Sequence, residues 1–250
     1  MTIINAFDDS SEAIVTPQRN IRPIEDFPQT VIATFSSKFQ DLVTARFATE
    51  QIGAMVAGST VPILRLMYRG MPVAFYLTPL GGPAASALLE EIIAYGGRKM
   101  LFFGSCGSLD TAISSGHLIV PTAAYRDEGT SYHYLPASDF IQVETADATA
   151  RILDELHVPY TCTKTWTTDG FYRETRNHVE ARRRAGCAAV EMECASIMAV
   201  GQFRDVAVHQ FLYAADCLDG AVWDERILGK MPADMIERLL DVALETAVRL

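Results

Sequence analysis

Apolar and polar positions divide the chain into short β-like runs separated by segments of helical period. VIATF (31–35) is β-branched and short, which predicts a buried strand. From Phe39, FQDLVTARFATEQIGAMVA spaces its apolar residues as a helix does over 39–57. VPILRLMYRGMPVAFYLTPL reads as two strands around a turn at Arg69 and Gly70. A glycine pair then leads into good helix formers over 84–95, stopped by Gly96 and Gly97. The strand KMLFF follows and empties into a Gly104-Ser105-Cys106-Gly107 loop; strand, helix and strand in this order predict a right-handed parallel crossover. Further strands are expected at 117–129, at 160–172 as far as Asp169-Gly170, at the start of AAVEMECASIMAVGQFRD, and at 206–216. Helices are expected at 146–158, at HVEARRRAG with Gly186 as its cap, in the second half of AAVEMECASIMAVGQFRD, and in PADMIERLLDVALETAVRL. No internal repeat is evident. This alternation predicts a single α/β domain over 29–250, with a mostly parallel mixed central sheet flanked by helices. Residues 1–28 carry Pro17, Pro23 and Pro28 and no period, as expected of a polar arm, disordered or laid across a neighbouring subunit.

Composition narrows the function classes. At 250 residues, 49% hydrophobic and 21% charged, the chain is long enough for one large core. A formal net charge of −10 disfavours a nucleic-acid partner, because an acidic surface repels phosphate backbones. The five cysteines, with no CxxC pair, argue against a disulfide framework and against structural zinc, and fit a reducing compartment. MTIINAFDDSSEAIV has acids where a signal peptide needs a basic region, and no stretch reaches the roughly 20 apolar residues of a membrane span. The expectation is a cytoplasmic protein with no membrane partner. His117, His133, His157, His178 and His209 are scattered, without the pairing a metal site needs, so no metal is expected. Arg182, Arg183 and Arg184 read as a solvated helix face.

In a sheet of this kind ligands gather beyond the carboxyl ends of strands, which directs attention to four exits. After KMLFF, closely spaced glycines let backbone N–H groups approach an anion or a sugar, and Ser105 adds a hydroxyl; the alternative is a plain turn. After KTWTT, Phe171 and Tyr172 offer a stacking surface for a heterocycle, or else Phe171 belongs to the core. After the third strand, Glu191 and Glu193 flank Met192, so one acid must face inward if the strand continues. That is costly unless something hydrogen-bonds to it, as a diol would; otherwise both acids complement a helix N-terminus. Asp216 closes a buried strand, where desolvation raises its pKa and lets it hold a proton, or else it is a turn or capping aspartate.

Taken in order, these segments resemble the nucleoside phosphorylase superfamily, the small-subunit purine nucleoside and uridine phosphorylases, from about Val73 to Asp216. GGPAASALLEE is similar to the family's glycine-rich turn and helix, GSCG to its phosphate-side loop, and TTDGFYRET to the segment with the base-stacking phenylalanine, here Phe171. VEMECAS is similar to its most specific signature, and LYAAD to the strand that ends in the catalytic aspartate. The resemblance implies that Asp216 is catalytic, protonating a purine ring nitrogen as the C–N bond breaks. It implies that Met192 packs under the ribose, Glu193 binds its hydroxyls, and the Val190 backbone, Ser105 and Gly107 complete the substrate site. The implied reaction is cleavage of an N-glycosidic bond by inorganic phosphate, giving free base and ribose 1-phosphate, without a cofactor. A homo-oligomer built from dimers, up to a hexamer, is also implied. No glutamine follows Phe171 as in the pyrimidine enzymes, while Asp216 is present, which favours a purine.

The phosphate side departs from the pattern. The family's opening glycine and arginine correspond to 33–39, which has neither, and its second arginine corresponds to Phe102. Phenylalanine supplies none of the charge or bidentate geometry that phosphate takes from arginine. Ser36, Ser37 and Lys38 with Ser105 are then expected to form a reduced phosphate site, or Arg46, Arg65 or Arg69 to supply charge, from this chain or a neighbour. The alternatives are a nucleosidase using water, although the general-base segment of such hydrolases is not found, and a nucleoside-binding protein without turnover. Asp127, Glu128 and His133 stand where the family varies, as substrate contacts or as a subunit interface.

Overall fold

A computed structural model describes residues 2–56 and 58–250; Met1 of the expected arm and Ala57 at the end of the expected 39–57 helix lie outside the described residues. Among the described residues, ten strands form one mixed sheet: β1 (Thr30–Thr34), β2 (Glu50–Val56), β3 (Thr60–Tyr68), β4 (Met71–Leu77), β5 (Lys99–Ser108), β6 (Leu118–Asp127), β7 (Phe140–Gln142), β8 (Tyr160–Thr168), β9 (Cys187–Glu191) and β10 (Ala207–Cys217). The helices are α1 (Ser37–Arg46), α2 (Gly82–Tyr95), α3 (Ala146–Glu155), α4 (Arg176–Arg184), α5 (Cys194–Arg204) and α6 (Ala233–Ala247).

The sheet order β10-β6-β8-β9-β5-β1-β4-β3-β2 gains an additional β10–β5 pairing, so β5, β9, β8, β6 and β10 close on themselves as a ring. The long ladders, β5 with β10 and β6 with β8, are parallel; antiparallel pairings close the ring (β5–β9 and β10–β6) and build the β2-β3-β4 edge. Closure satisfies backbone groups that an open edge would leave unpaired. It also carries the chain past the point where sequence pattern expects a loop. Gly104 to Gly107 are paired residues of β5, in register with Leu212, Tyr213, Ala214 and Asp216 of β10. The glycines reflect close approach rather than a turn. A Cβ on Gly104 would come within 2.7 Å of the Phe35 ring, and one on Gly107 within 2.6 Å of Leu218 and 2.9 Å of Val190.

A second correction concerns 39–57. Only its first part is helical, ending at Arg46; Glu50 to Val56 pair with β3 as an edge strand. The apolar positions there serve a half-exposed hairpin surface, and period alone does not separate the two uses in so short a run. The β3–β4 turn falls at Arg69 and Gly70, both with positive φ (48° and 79°), as a two-residue hairpin turn requires. Gly96, with φ 133°, ends α2, and Gly186, with φ 90°, follows α4.

The main core is continuous between the sheet and its helices, and includes Phe39, Phe75, Phe102, Phe103 and Phe211. Each such ring, fully withdrawn from water, contributes about 2–3 kcal/mol. Helices α2 and α5 are clamped by Arg204, whose guanidinium donates to both oxygens of Glu90 at 2.8–3.0 Å. Phe27, just before β1, stacks on Tyr95 at 6.1 Å and holds the preceding segment against α2. Among the described residues, no helix is long and apolar enough to cross a membrane.

Candidate active site

Ring closure brings the ends of β5, β9 and β10 to one place: Gly107 pairs with Val190 on one side and with Asp216 on the other. There a cavity of about 340 Å³ opens, lined by Ser105, Cys106, Gly107, Phe171, Glu174, Val190, Glu191, Met192, Glu193 and Asp216, with Leu80 and Leu228. Asp216, Glu193, Met192, Phe171, Val190, Ser105 and Gly107 are all among them, while Tyr172, Asp127, Glu128 and His133 are not. Phe171 is 41% exposed, so it is cavity wall rather than core, and Tyr172 beside it is open to solvent.

The two acids flanking Met192 divide their tasks. Glu191, the last residue of β9, accepts from the backbone N–H groups of Glu193 (2.7 Å) and Cys194 (2.6 Å) and from the Thr167 hydroxyl (2.6 Å). It therefore caps α5 and ties it to β8. Glu193, one residue before α5, accepts at Oε1 from the backbone N–H of Gly81 at 2.6 Å. Both acids are buried, and burial pushes their pKa values up; the charge of Glu191 pushes Glu193 further. With its four donors Glu191 is the better placed of the two to hold the charge.

Asp216 is 5% exposed, and burial raises its pKa, opposed by a hydrogen bond from Trp223 and by the charge of Arg226. The Trp223 indole N–H donates to Asp216 Oδ2 at 2.6 Å. Glu174 lines the same cavity, and burial, followed by the charge of Asp216, pushes it up to about 7. Neither Trp223 nor Glu174 was singled out by sequence reasoning. Glu174 stands three residues beyond Phe171, inside a segment already of interest; Trp223 carries no sequence signal, because its contact depends on the path of a loop.

The reduced phosphate site is not gathered in this cavity. Ser105 lines it, but Ser36 and Lys38 are not among its lining residues, and Lys38 Nζ donates to the Gly229 carbonyl at 3.3 Å. Ser37 lines a neighbouring 490 Å³ cavity that shares Leu80. Phe35 and Phe102 lie together, ring centroids 6.3 Å apart, with Phe102 fully buried. Within the chain, Arg46 pairs with Asp241 (2.7 Å), Arg65 with Glu50 (3.5 Å) and Arg69 with Glu245 (2.5 Å), so these cations are engaged elsewhere. The 126–134 segment is knitted into the fold. Asp127 accepts from the Trp166 indole at 2.9 Å, and Glu128 accepts from Ser131 and from the Ser196 hydroxyl.

Residues 30–244 match the phosphorylase superfamily. The chain belongs to that superfamily. A guanosine phosphorylase of Halorubrum lacusprofundi is 29% identical over 56% of this chain and 59% of its own length. A uridine phosphorylase of Thermococcus kodakarensis is 31% identical over 52% of each chain. The match thus spans little more than half the length of these relatives. In fold, the chain is similar to a purine nucleoside phosphorylase of Toxoplasma gondii solved with immucillin-H, with TM-score 0.76, 19% identity, and coverage of 90% of this chain and 92% of that one.

Proposed function

We propose that this superfamily member cleaves the N-glycosidic bond of a purine nucleoside with inorganic phosphate, releasing free base and ribose 1-phosphate. The observation that carries the reading is the convergence of two buried acids, Asp216 and Glu193, with Phe171 and Met192 on one cavity. The base stacks on Phe171, and the ribose lies over Met192 with its hydroxyls on Glu193 Oε2, since Oε1 is taken by Gly81. As the C–N bond breaks, its electron pair passes to the base, and Asp216 in its neutral form protonates a ring nitrogen. A phosphate oxygen forms the new bond to the anomeric carbon, and Asp216 regains its proton from solvent. No cofactor enters this scheme. We place the reaction in the cytoplasm, in keeping with five free cysteines, and assign the chain to a homo-oligomer built from dimers.

One observation favours a second reading. Phe35 and Phe102 pack as an aromatic pair where the superfamily resemblance calls for phosphate-binding groups. In that reading water attacks the same anomeric carbon and the sugar leaves as free ribose. Identifying the sugar product, with and without phosphate, separates the two.

A further inference from the structure

We propose that Trp223 is a positioning residue that fixes which oxygen of Asp216 carries the catalytic proton, an inference that rests on the proposed role of Asp216 as the acid. The loop after β10 is folded back by paired backbone hydrogen bonds between Cys217 and Asp224, at 2.9 and 3.0 Å. Arg226 pins its far end, donating to the Ile113 carbonyl at 2.6 Å. Inside the Cys217–Asp224 closure, Trp223 is brought back over the strand end, where its indole N–H meets Asp216 Oδ2. A neutral carboxyl group has one carbonyl oxygen and one hydroxyl. An N–H donor aimed at Oδ2 favours that atom as the carbonyl oxygen, the stronger acceptor, which leaves Oδ1 to carry the proton. Oδ1 lies over Gly107, where even a Cβ would approach it to 3.3 Å, and both residues line the cavity. A proton on Oδ1 therefore sits on the Gly107 side of the carboxyl, away from the loop indole.

The same indole lines an adjoining cavity of about 300 Å³, with Phe171, Tyr172, Glu174, Arg176, Val179, Leu218 and Gly220. Phe171 and Glu174 border both spaces. Trp223 thus couples the base-side wall to the acid: a heterocycle on Phe171 arrives beside the residue that orients the proton it will receive. Other groups also act on Asp216, whose own backbone N–H is a further donor to the carboxyl, weaker than the Trp223 indole. Glu174 comes from the segment after β8, Cys106 from β5, and Asp224 and Arg226 from the loop itself.

Trp223→Phe keeps the ring and removes the donor. The expected result is a kcat lowered about tenfold or more with KM within about threefold, because the lost interaction acts on proton delivery rather than binding. Loss of a donor to the charged form also raises the Asp216 pKa, so the high-pH limb of kcat moves upward. The second readout needs no turnover: intrinsic tryptophan emission of the wild-type chain titrates with Asp216, and Asp216→Asn or Trp223→Phe abolishes that titration while the Trp166 signal remains. Wild-type kcat and an unmoved limb in Trp223→Phe overturn the proposal, as does emission indifferent to Asp216→Asn. A chain that cleaves no nucleoside but shows the Asp216-dependent titration keeps the contact and removes the reading of the reaction on which its catalytic role stands.

Discussion

The backbone N–H of Gly81 donates to Glu193 Oε1 at 2.6 Å, linking the glycine turn before α2 to the acid before α5 across more than a hundred residues of chain. Gly81 has φ 97° and ψ 141°, a conformation that side chains resist, so a residue with a Cβ strains the turn that aims this N–H. Gly81→Ala is expected to cost about 1–3 kcal/mol of stability. It is also expected to raise KM for the nucleoside, because Glu193 loses the donor that fixes it. Chemical denaturation and steady-state kinetics measure the two effects; an unchanged KM removes the orienting role.

Asp216→Asn removes the proton that the mechanism delivers. General acid catalysis supplies about 10²–10⁴ in rate, and a loss in that range is expected in kcat, with KM little altered. Stability at neutral pH is expected to hold or rise, since a buried carboxyl with a raised pKa gives way to a neutral amide. A kcat within tenfold of wild type would count against Asp216 as the acid.

Glu174 makes stability depend on pH. Its pKa is pushed from 4.5 to about 7 in the folded chain, so the folded state binds the extra proton between those values. Its contribution is complete below about 4.5 and is lost as pH rises through about 7. Glu174→Gln is expected to flatten that decline by about 1–2 kcal/mol, after allowance for solvent at the cavity mouth. Denaturant midpoints at pH 4.5 and pH 8 check it: equal declines in variant and wild type contradict it.

Much of this was legible in the sequence, for identifiable reasons. The order of strands and helices follows from period and from punctuation such as Arg69-Gly70 and Gly96. Most of the cavity residues stand at or just beyond the ends of β5, β8, β9 and β10, which the parallel β5–β10 ladder and the antiparallel β5–β9 pairing bring together. Other features depend on tertiary context. Whether Gly104 to Gly107 form a loop or a strand is decided by the partner β10, and 50–56 is strand because β3 offers an edge. Strand period alone did not divide Glu191 from Glu193, although the family resemblance pointed to Glu193: one caps α5 and the other meets Gly81, a contact set by how two helices pack.

Phe102 stands at the position that the family resemblance gives to a phosphate-binding arginine. It is fully buried, in contact with Phe35, so an arginine placed there brings an unpaired charge into the core. Phe102→Arg is expected to destabilise the chain by about 3–5 kcal/mol rather than to create a phosphate site. A thermal melt shows this directly; a well-folded variant with tighter phosphate binding contradicts it.

Base release from a panel of purine and pyrimidine nucleosides, with and without phosphate and with the sugar product identified, decides between phosphorolysis, hydrolysis and no reaction. The expected result is release of a purine base, with ribose 1-phosphate formed only when phosphate is present. Free ribose formed regardless of phosphate contradicts phosphorolysis, and no base released from any nucleoside contradicts the reaction itself.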